Sequence, residues 1–140
     1  MSTPHNLPRV GDLIDPVVWR PSTIQLFRFS AVTWNPHRIH FDVPYAESEG
    51  YPGPLVQSHL HGSFLAHTVL RWAGPSTMLT AFRWENRHYA VPGDVLTCVG
   101  EVTAVDGELV TCALRELNQD NRLCAPAWAT VRWNYSAGGR

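Results

Sequence analysis

Only one stretch of this chain has the spacing of a long helix, and almost everything after it reads as strand. Leu60, Phe64, Leu65, Val69, Trp72 and Ala73 recur at helical intervals between His59 and Ala73, while Ser63, His67 and Arg71 form a narrower polar stripe. Ser58 is the better N-cap candidate, with His59 as the other possible start, and Gly74-Pro75 ends the segment. So apolar a helix must be covered over most of its circumference. Four strand-like runs follow to do so: Met78–Trp84, Val95–Val105, Leu109–Leu117 and Leu123–Tyr135. Asp106-Gly107 between two alternating runs signals a hairpin. Asn118 to Asn121 signals a second turn, and Pro126 inside the last run predicts an edge or a bulge.

The N-terminal third is less regular. Residues 1–22 contain Pro4, Pro8, Pro16 and Pro21, which break helices, and are expected to form an arm anchored by Val17, Val18 and Trp19. From Ser22 to Trp34 the β-branched and aromatic residues, with partial alternation through Ile24, Leu26, Phe27 and Phe29, predict a strand that Asn35-Pro36 ends. Residues 42–54 read as loop and short helix, closed by Gly50, Pro52, Gly53 and Pro54. The 140 residues favour one domain, 1–140, large enough to bury a core without staples. The order implies an α+β chain in which a curved antiparallel sheet wraps one central helix, the hot-dog arrangement. A differently connected α+β sandwich is the alternative.

Composition excludes several functions. Net charge is −1, which argues against nucleic acid and anionic membrane as main ligands. Charged residues are only 16%, so part of the surface is expected to be covered by a partner. All eleven basic residues are arginines, which removes Schiff-base chemistry and a pyridoxal phosphate linkage. No run of eighteen or so apolar residues spans a bilayer, and Met1 to Leu13 lacks the pattern of a signal peptide. A cytoplasmic setting follows, in which Cys98, Cys112 and Cys124, without a Cys-x-x-Cys pair, are buried free thiols.

Two clusters have the residue types for chemistry. Trp34-Asn35-Pro36-His37-Arg38-Ile39-His40-Phe41-Asp42 follows a predicted element at a turn, where reactive groups gather. His40 is a candidate acid or base, since an imidazole titrates near about 6.5. Asp42 is a candidate to orient it, and Asn35 to hold a water or a carbonyl. The plainer reading makes His37 and Arg38 surface groups and Asp42 a helix cap. The second cluster, Gln57-Ser58-His59-Leu60-His61-Gly62, opens the long helix, whose unpaired N–H groups favour a developing negative oxygen. Plain capping is the competing account. A metal held by His37, His40, His59 and His61 is a third reading, opposed by the absence of a matching carboxylate and by the helix start. His67 and His88 are unassigned, and no metal is expected.

Taken as an ordered set, Asn35-Pro36-His37-Arg38-Ile39-His40-Phe41-Asp42, Tyr45-Ala46, Gly50-Tyr51-Pro52-Gly53 and Val91-Pro92-Gly93-Asp94 resemble the MaoC-like hydratase and dehydratase family of the hot-dog superfold. The His-Arg-Ile-His-x-Asp and Gly-Tyr-Pro-Gly variants resemble in particular its mesaconyl-CoA hydratase and 3-hydroxyacyl-thioester dehydratase branch. Arg71 to Pro75 also resembles small subunits of actinobacterial steroid side-chain hydratases. The resemblance implies reversible addition of water to a 2-enoyl thioester of CoA or a carrier, with no further cofactor. His40 and Asn35 then stand at the catalytic positions, Asn35 where the family has aspartate. Gln57 and Ser58 stand where the family has His-Gly, with His59, His37 and Asp42 beside the substrate. Arg38, Arg83 and Arg87 are candidate CoA phosphate contacts on charge grounds. An acyl-CoA substrate and a homodimer, or a hetero-oligomer with another hot-dog subunit, are the implied partners. A subunit with little activity alone is the alternative.

Overall fold

The computed structural model describes residues 6–133. The elements are β1 (Leu13–Trp19), α1 (Thr23–Thr33), a short 3-10 turn η1 (Arg38–His40), α2 (Val43–Ser48), α3 (Ser58–Ala73), β2 (Met78–Trp84), β3 (Leu96–Asp106), β4 (Leu109–Leu117) and β5 (Leu123–Arg132). The strands form one antiparallel sheet in the order β1-β3-β4-β5-β2. Helix α3 touches all five strands, so the sheet wraps it as the hot-dog arrangement requires. Residues 1–5 of the expected arm and Tyr135 of the expected last strand lie outside the described residues.

Alternation explains how the sheet covers the helix. On β4 Val110, Cys112, Leu114 and Glu116 are buried, with more exposed positions between them. On β5 Ala127, Ala129 and Val131 do the same. Many of these inward side chains are small, and they meet Leu60, Phe64, Leu65, Val69 and Ala73 of α3 in one apolar core. Close approach is most demanding at Gly62. A Cβ there would lie 2.7 Å from Cε2 of Trp84 on β2, so only glycine lets that indole lie on the helix. Among the described residues no helix is long and apolar enough to cross a membrane.

Four expectations are corrected. Ser22–Trp34 holds helix α1, not a strand. Ser22 accepts a hydrogen bond from Gln25 N–H as its N-cap, and Leu26 and Ser30 are buried one turn apart. Of the residues that suggested alternation, Ile24 and Phe27 are exposed while Leu26 is buried and Phe29 half-buried, the helical spacing of one inward face. The arm carries edge strand β1, paired with β3. Pro16 falls in the irregularity between Ile14 and Val17, where a strand tolerates proline. Val17 and Trp19 do anchor it, Trp19 stacking on Phe64 at 4.7 Å, but Val18 is exposed. Finally, β5 is an interior strand, and Pro126 is accommodated because it lies one residue past Ala127, where the β2 ladder stops. At the start of α3, Gln57 and not Ser58 occupies the cap position, and it makes no side-chain capping bond.

The core contains one polar pair that the sequence reading did not find. Glu116 of β4 is fully buried and hydrogen-bonded to Nδ1 of His61, itself buried in the first turns of α3. Cys98 Sγ lies 4.0 Å from the other carboxylate oxygen. Removing one partner leaves the other buried without compensation. Glu116→Ala is expected to lower stability in urea unfolding by about 3–5 kcal/mol. A loss below about 1 kcal/mol, the scale of a surface pair, would show that the pair does not hold helix to sheet.

Candidate functional site

The chain from α1 to α3 passes through a tightly turned strap that carries most of the predicted residues. Helix α1 ends at Trp34 in the left-handed region (φ 54°, ψ 43°), a conformation that glycine normally supplies. Asn35 N–H reaches back to Ser30 C=O at 2.9 Å and closes the end of the helix. Trp34 is nonetheless 88% exposed. With Asn35 and Pro36 it forms the ridge between two clefts. One, of about 280 Å³, has the apolar walls Phe27, Ala31 and Phe41 with Ser30. The other, of about 380 Å³, is closed by Phe29, Thr33 and His59. The structure thus brings Asn35 and His59 to one cleft. His40 is not among the wall residues of either cleft.

The two imidazoles of the strap are held in opposite tautomers. His37 Nδ1 accepts from Ile39 N–H at 3.1 Å, so its ring proton is on Nε2. His40 Nδ1 lies 2.8 Å from Leu55 C=O, a pure acceptor, so His40 donates from Nδ1 and keeps a bare lone pair on Nε2. Burial lowers the His40 pKa below its ordinary 6.5, against the opposing effect of the Leu55 bond and with a smaller push from His37. Burial thus favours the neutral form of the ring, with Nε2 unprotonated. Asn35 Oδ1 accepts from His37 N–H at 3.3 Å, and its NH₂ has no acceptor among the described residues.

Asp42 does not orient His40. Its carboxylate caps α2 through Tyr45 N–H at 3.1 Å and pairs with Arg38 at 2.7 Å. The Arg38 hydrogen bond, with the Tyr45 N–H, holds its pKa below the usual carboxylate range. The Leu55 carbonyl does the orienting, a long-range contact that local spacing does not show. Nor do the histidines form a metal site. His59 lies edge-on to Trp84 and His61 is spent on Glu116, and among the described residues no three such side chains gather. The arginines expected at phosphates all have carboxylate partners: Arg38 has Asp42, and Arg83 and Arg87 share Glu85.

At the start of α3, Gln57 turns its side chain away from the helix. Its Nε2 donates to Leu26 C=O at 2.7 Å and to Ser30 Oγ at 2.9 Å, both on α1. Its Oε1 is buried with no hydrogen-bond partner among the described residues. The first-turn N–H groups of Ser58 and His59 have no intrahelical acceptor by geometry, and no side chain caps them. Trp84 Nε1 donates to Ser58 C=O at 3.1 Å and fixes this turn against β2. The strap and the helix start together supply a neutral base, an amide donor, unpaired N–H groups and an apolar cleft. Those are the parts for acid–base chemistry at a carbonyl compound with an apolar tail.

Comparison with known proteins agrees. The profile of hydroxyacyl-thioester dehydratase type 2 matches residues 11–92. Mesaconyl-C(4)-CoA hydratase of Chloroflexus aurantiacus is 49% identical over 72 residues, 51% of this chain but only 24% of that protein. The fold is shared with R-hydratase PhaJ1 from Pseudomonas aeruginosa (TM-score 0.86, 20% identity, 96% of this chain and 87% of that one). It is shared too with the ChsH1-ChsH2 complex from Mycobacterium tuberculosis (0.84, 20%, 91% and 99%). The (R)-hydratase from A. caviae involved in PHA biosynthesis has it as well (0.82, 20%, 90% and 97%). Matched by that profile over more than half its length, the chain belongs to the hydroxyacyl-thioester dehydratase type 2 family.

Proposed function

We propose that this chain catalyses the reversible addition of water to a 2-enoyl thioester, giving the 3-hydroxyacyl thioester. The observation that carries the reading is His40, neutral and with a bare Nε2, on the strap that also presents Asn35 to the clefts. In the hydration direction His40 Nε2 takes a proton from water as the oxygen bonds to the β carbon. The π electrons move to the thioester oxygen, and the enolate is met by the free N–H groups of Ser58 and His59. The imidazolium then returns its proton to the α carbon, so one molecule of water is added overall. Asn35 orients the water through its NH₂; a carboxamide does not take the proton. Trp34 and the apolar cleft receive the acyl group. The reaction needs no cofactor beyond the thioester's own carrier.

A second reading makes the chain one subunit of a hetero-oligomeric hydratase. Asn35 in place of the family's aspartate and Gln57-Ser58 in place of His-Gly favour it, and so does the two-component assembly of its structural relative ChsH1-ChsH2. A lone chain silent on every enoyl-CoA, with turnover restored by a second hot-dog subunit, is the result that selects it. Either way we propose a cytoplasmic protein that pairs with at least one other hot-dog chain.

Loss of enoyl absorbance from crotonyl-CoA tests the first reading. His40→Ala is expected to lower kcat by about 10²–10⁴-fold, and unchanged turnover removes His40 from the reaction. Because the base works neutral and its pKa is lowered, kcat/KM is expected to be flat at pH 7 and to fall on acidification with a midpoint below 6.5. A midpoint above 6.5 contradicts the assignment. Trp34→Gly tests the ridge. It relieves a left-handed conformation and is expected to stabilise the fold by about 1 kcal/mol, while KM rises several-fold. A variant with unchanged KM places Trp34 outside the substrate's path.

A further inference from the structure

Two ties join the strap to the residues just before α3. Leu55 N–H donates to Ile39 C=O at 2.9 Å and Leu55 C=O accepts from His40 Nδ1 at 2.8 Å, so the His40 end of the strap is held at residue 55. The Asn35 end is held at residue 57, through side chains. Gln57 Nε2 donates to Leu26 C=O at 2.7 Å and to Ser30 Oγ at 2.9 Å. Ser30 C=O in turn accepts the N–H of both Trp34 and Asn35. The next two residues, Ser58 and His59, carry uncapped N–H groups of α3. Residues 55–59 therefore set the distances among His40, Asn35 and those N–H groups.

Cohesion alone does not explain Gln57. It is 1% exposed, and its Oε1 is buried with no hydrogen-bond partner among the described residues, which costs stability. Turning the amide over gives no relief, because Oε1 would then face Leu26 C=O, which only accepts. Ser30 is unusual in the same way. The hydroxyls of Thr33, Ser63 and Thr68 each donate to the carbonyl four residues back. The Ser30 oxygen instead accepts from Gln57, and its proton goes to no group among the described residues. An apolar pair at these two positions would leave no side-chain atom unpaired.

We propose that Gln57 is a positioning residue: its bond to Ser30 fixes the gap between Asn35, which holds the water, and the N–H groups of Ser58 and His59, which meet the enolate. Its chemical role rests on the hydratase reading; the gap itself does not. Attack at the β carbon and charge at the thioester oxygen develop together, so the two holders must fit one substrate at the same moment. A misplacement of about 1 Å costs on the order of a hundred-fold in rate. Gln57 forms no part of the wall of either cleft, so the loss falls on kcat and leaves KM in place.

Kinetics with crotonyl-CoA, set beside urea unfolding, test the tie. Gln57→Met is expected to lower kcat about a hundred-fold with KM and the unfolding midpoint unchanged. Ser30→Ala, which leaves the bond to Leu26, is expected to lower it about ten-fold. The double variant is expected to fall no further than Gln57→Met, since both changes act through one bond. Wild-type kcat in Gln57→Met overturns the proposal, and so does a double variant whose loss is the product of the two. A kcat loss that comes with a lower midpoint and a raised KM assigns Gln57 to the fold alone. If Gln57→Met does not fold, Ser30→Ala breaks the same bond from α1, and wild-type kcat there overturns the proposal. Crystal structures of the wild type and Gln57→Met measure the gap directly. Asn35 is expected to shift relative to Ser58 by about 1 Å, and an unchanged gap is contrary to the proposal. If the wild type turns over no thioester, the hydratase reading fails while the two crystal structures still decide the positioning.

Discussion

A carboxylate with no access to water needs its partner held in place, and Glu116 is that carboxylate. It occupies the inward phase of β4, where the flanking inward residues are Leu114, Cys112 and Val110, and its partner His61 comes from α3. An apolar helix packed on an apolar sheet slides at little cost, because many registers bury the same area. A buried hydrogen-bonded pair has one register. His61 lies one turn from the start of α3, so the pair locates that end of the helix, and Trp84 does so a second time by bonding to Ser58 C=O over Gly62.

What the fold fixes at the start of α3, the strap uses. Gln57 crosses to α1 and ties Leu26 and Ser30 to the helix start. His40 depends on Leu55, two residues before Gln57, for its tautomer. The residues around the clefts are therefore set by a short chain of contacts that begins in the core. The left-handed Trp34 costs stability and exposes a large apolar surface; a residue held that way fits a site that needs a wall more than the fold needs a better helix end.

The central helix, the four strands after it and the hairpin at Asp106-Gly107 were legible because apolar spacing and turn residues agree there. Helix α1 was not, because the exposed Ile24 and Phe27 beside the inward Leu26 and Phe29 imitate the alternation of a half-buried strand. Strand β1 was hidden by Pro16, which reads as a breaker unless its place at an edge irregularity is known. The density of polar groups from Asn35 to Asp42 located the strap. The choice of Leu55 over Asp42 as the partner of His40 depends on a contact fifteen residues away, which no local pattern encodes. Glu116 did leave a signal: it stands where the alternation Val110, Cys112, Leu114 calls for an apolar residue, and only a buried partner explains it there.

Each of the three innermost strands carries one fully buried cysteine: Cys98 on β3, Cys112 on β4 and Cys124 on β5. Burial pushes the thiols of Cys112 and Cys124 up to about 12 and about 11, and that of Cys98 higher still with the Glu116 carboxylate beside it. In the native state none of them offers the thiolate on which alkylation depends. The centre of the sheet thus has a built-in clock: the rate at which an alkylating reagent consumes each sulfur records how often that strand opens.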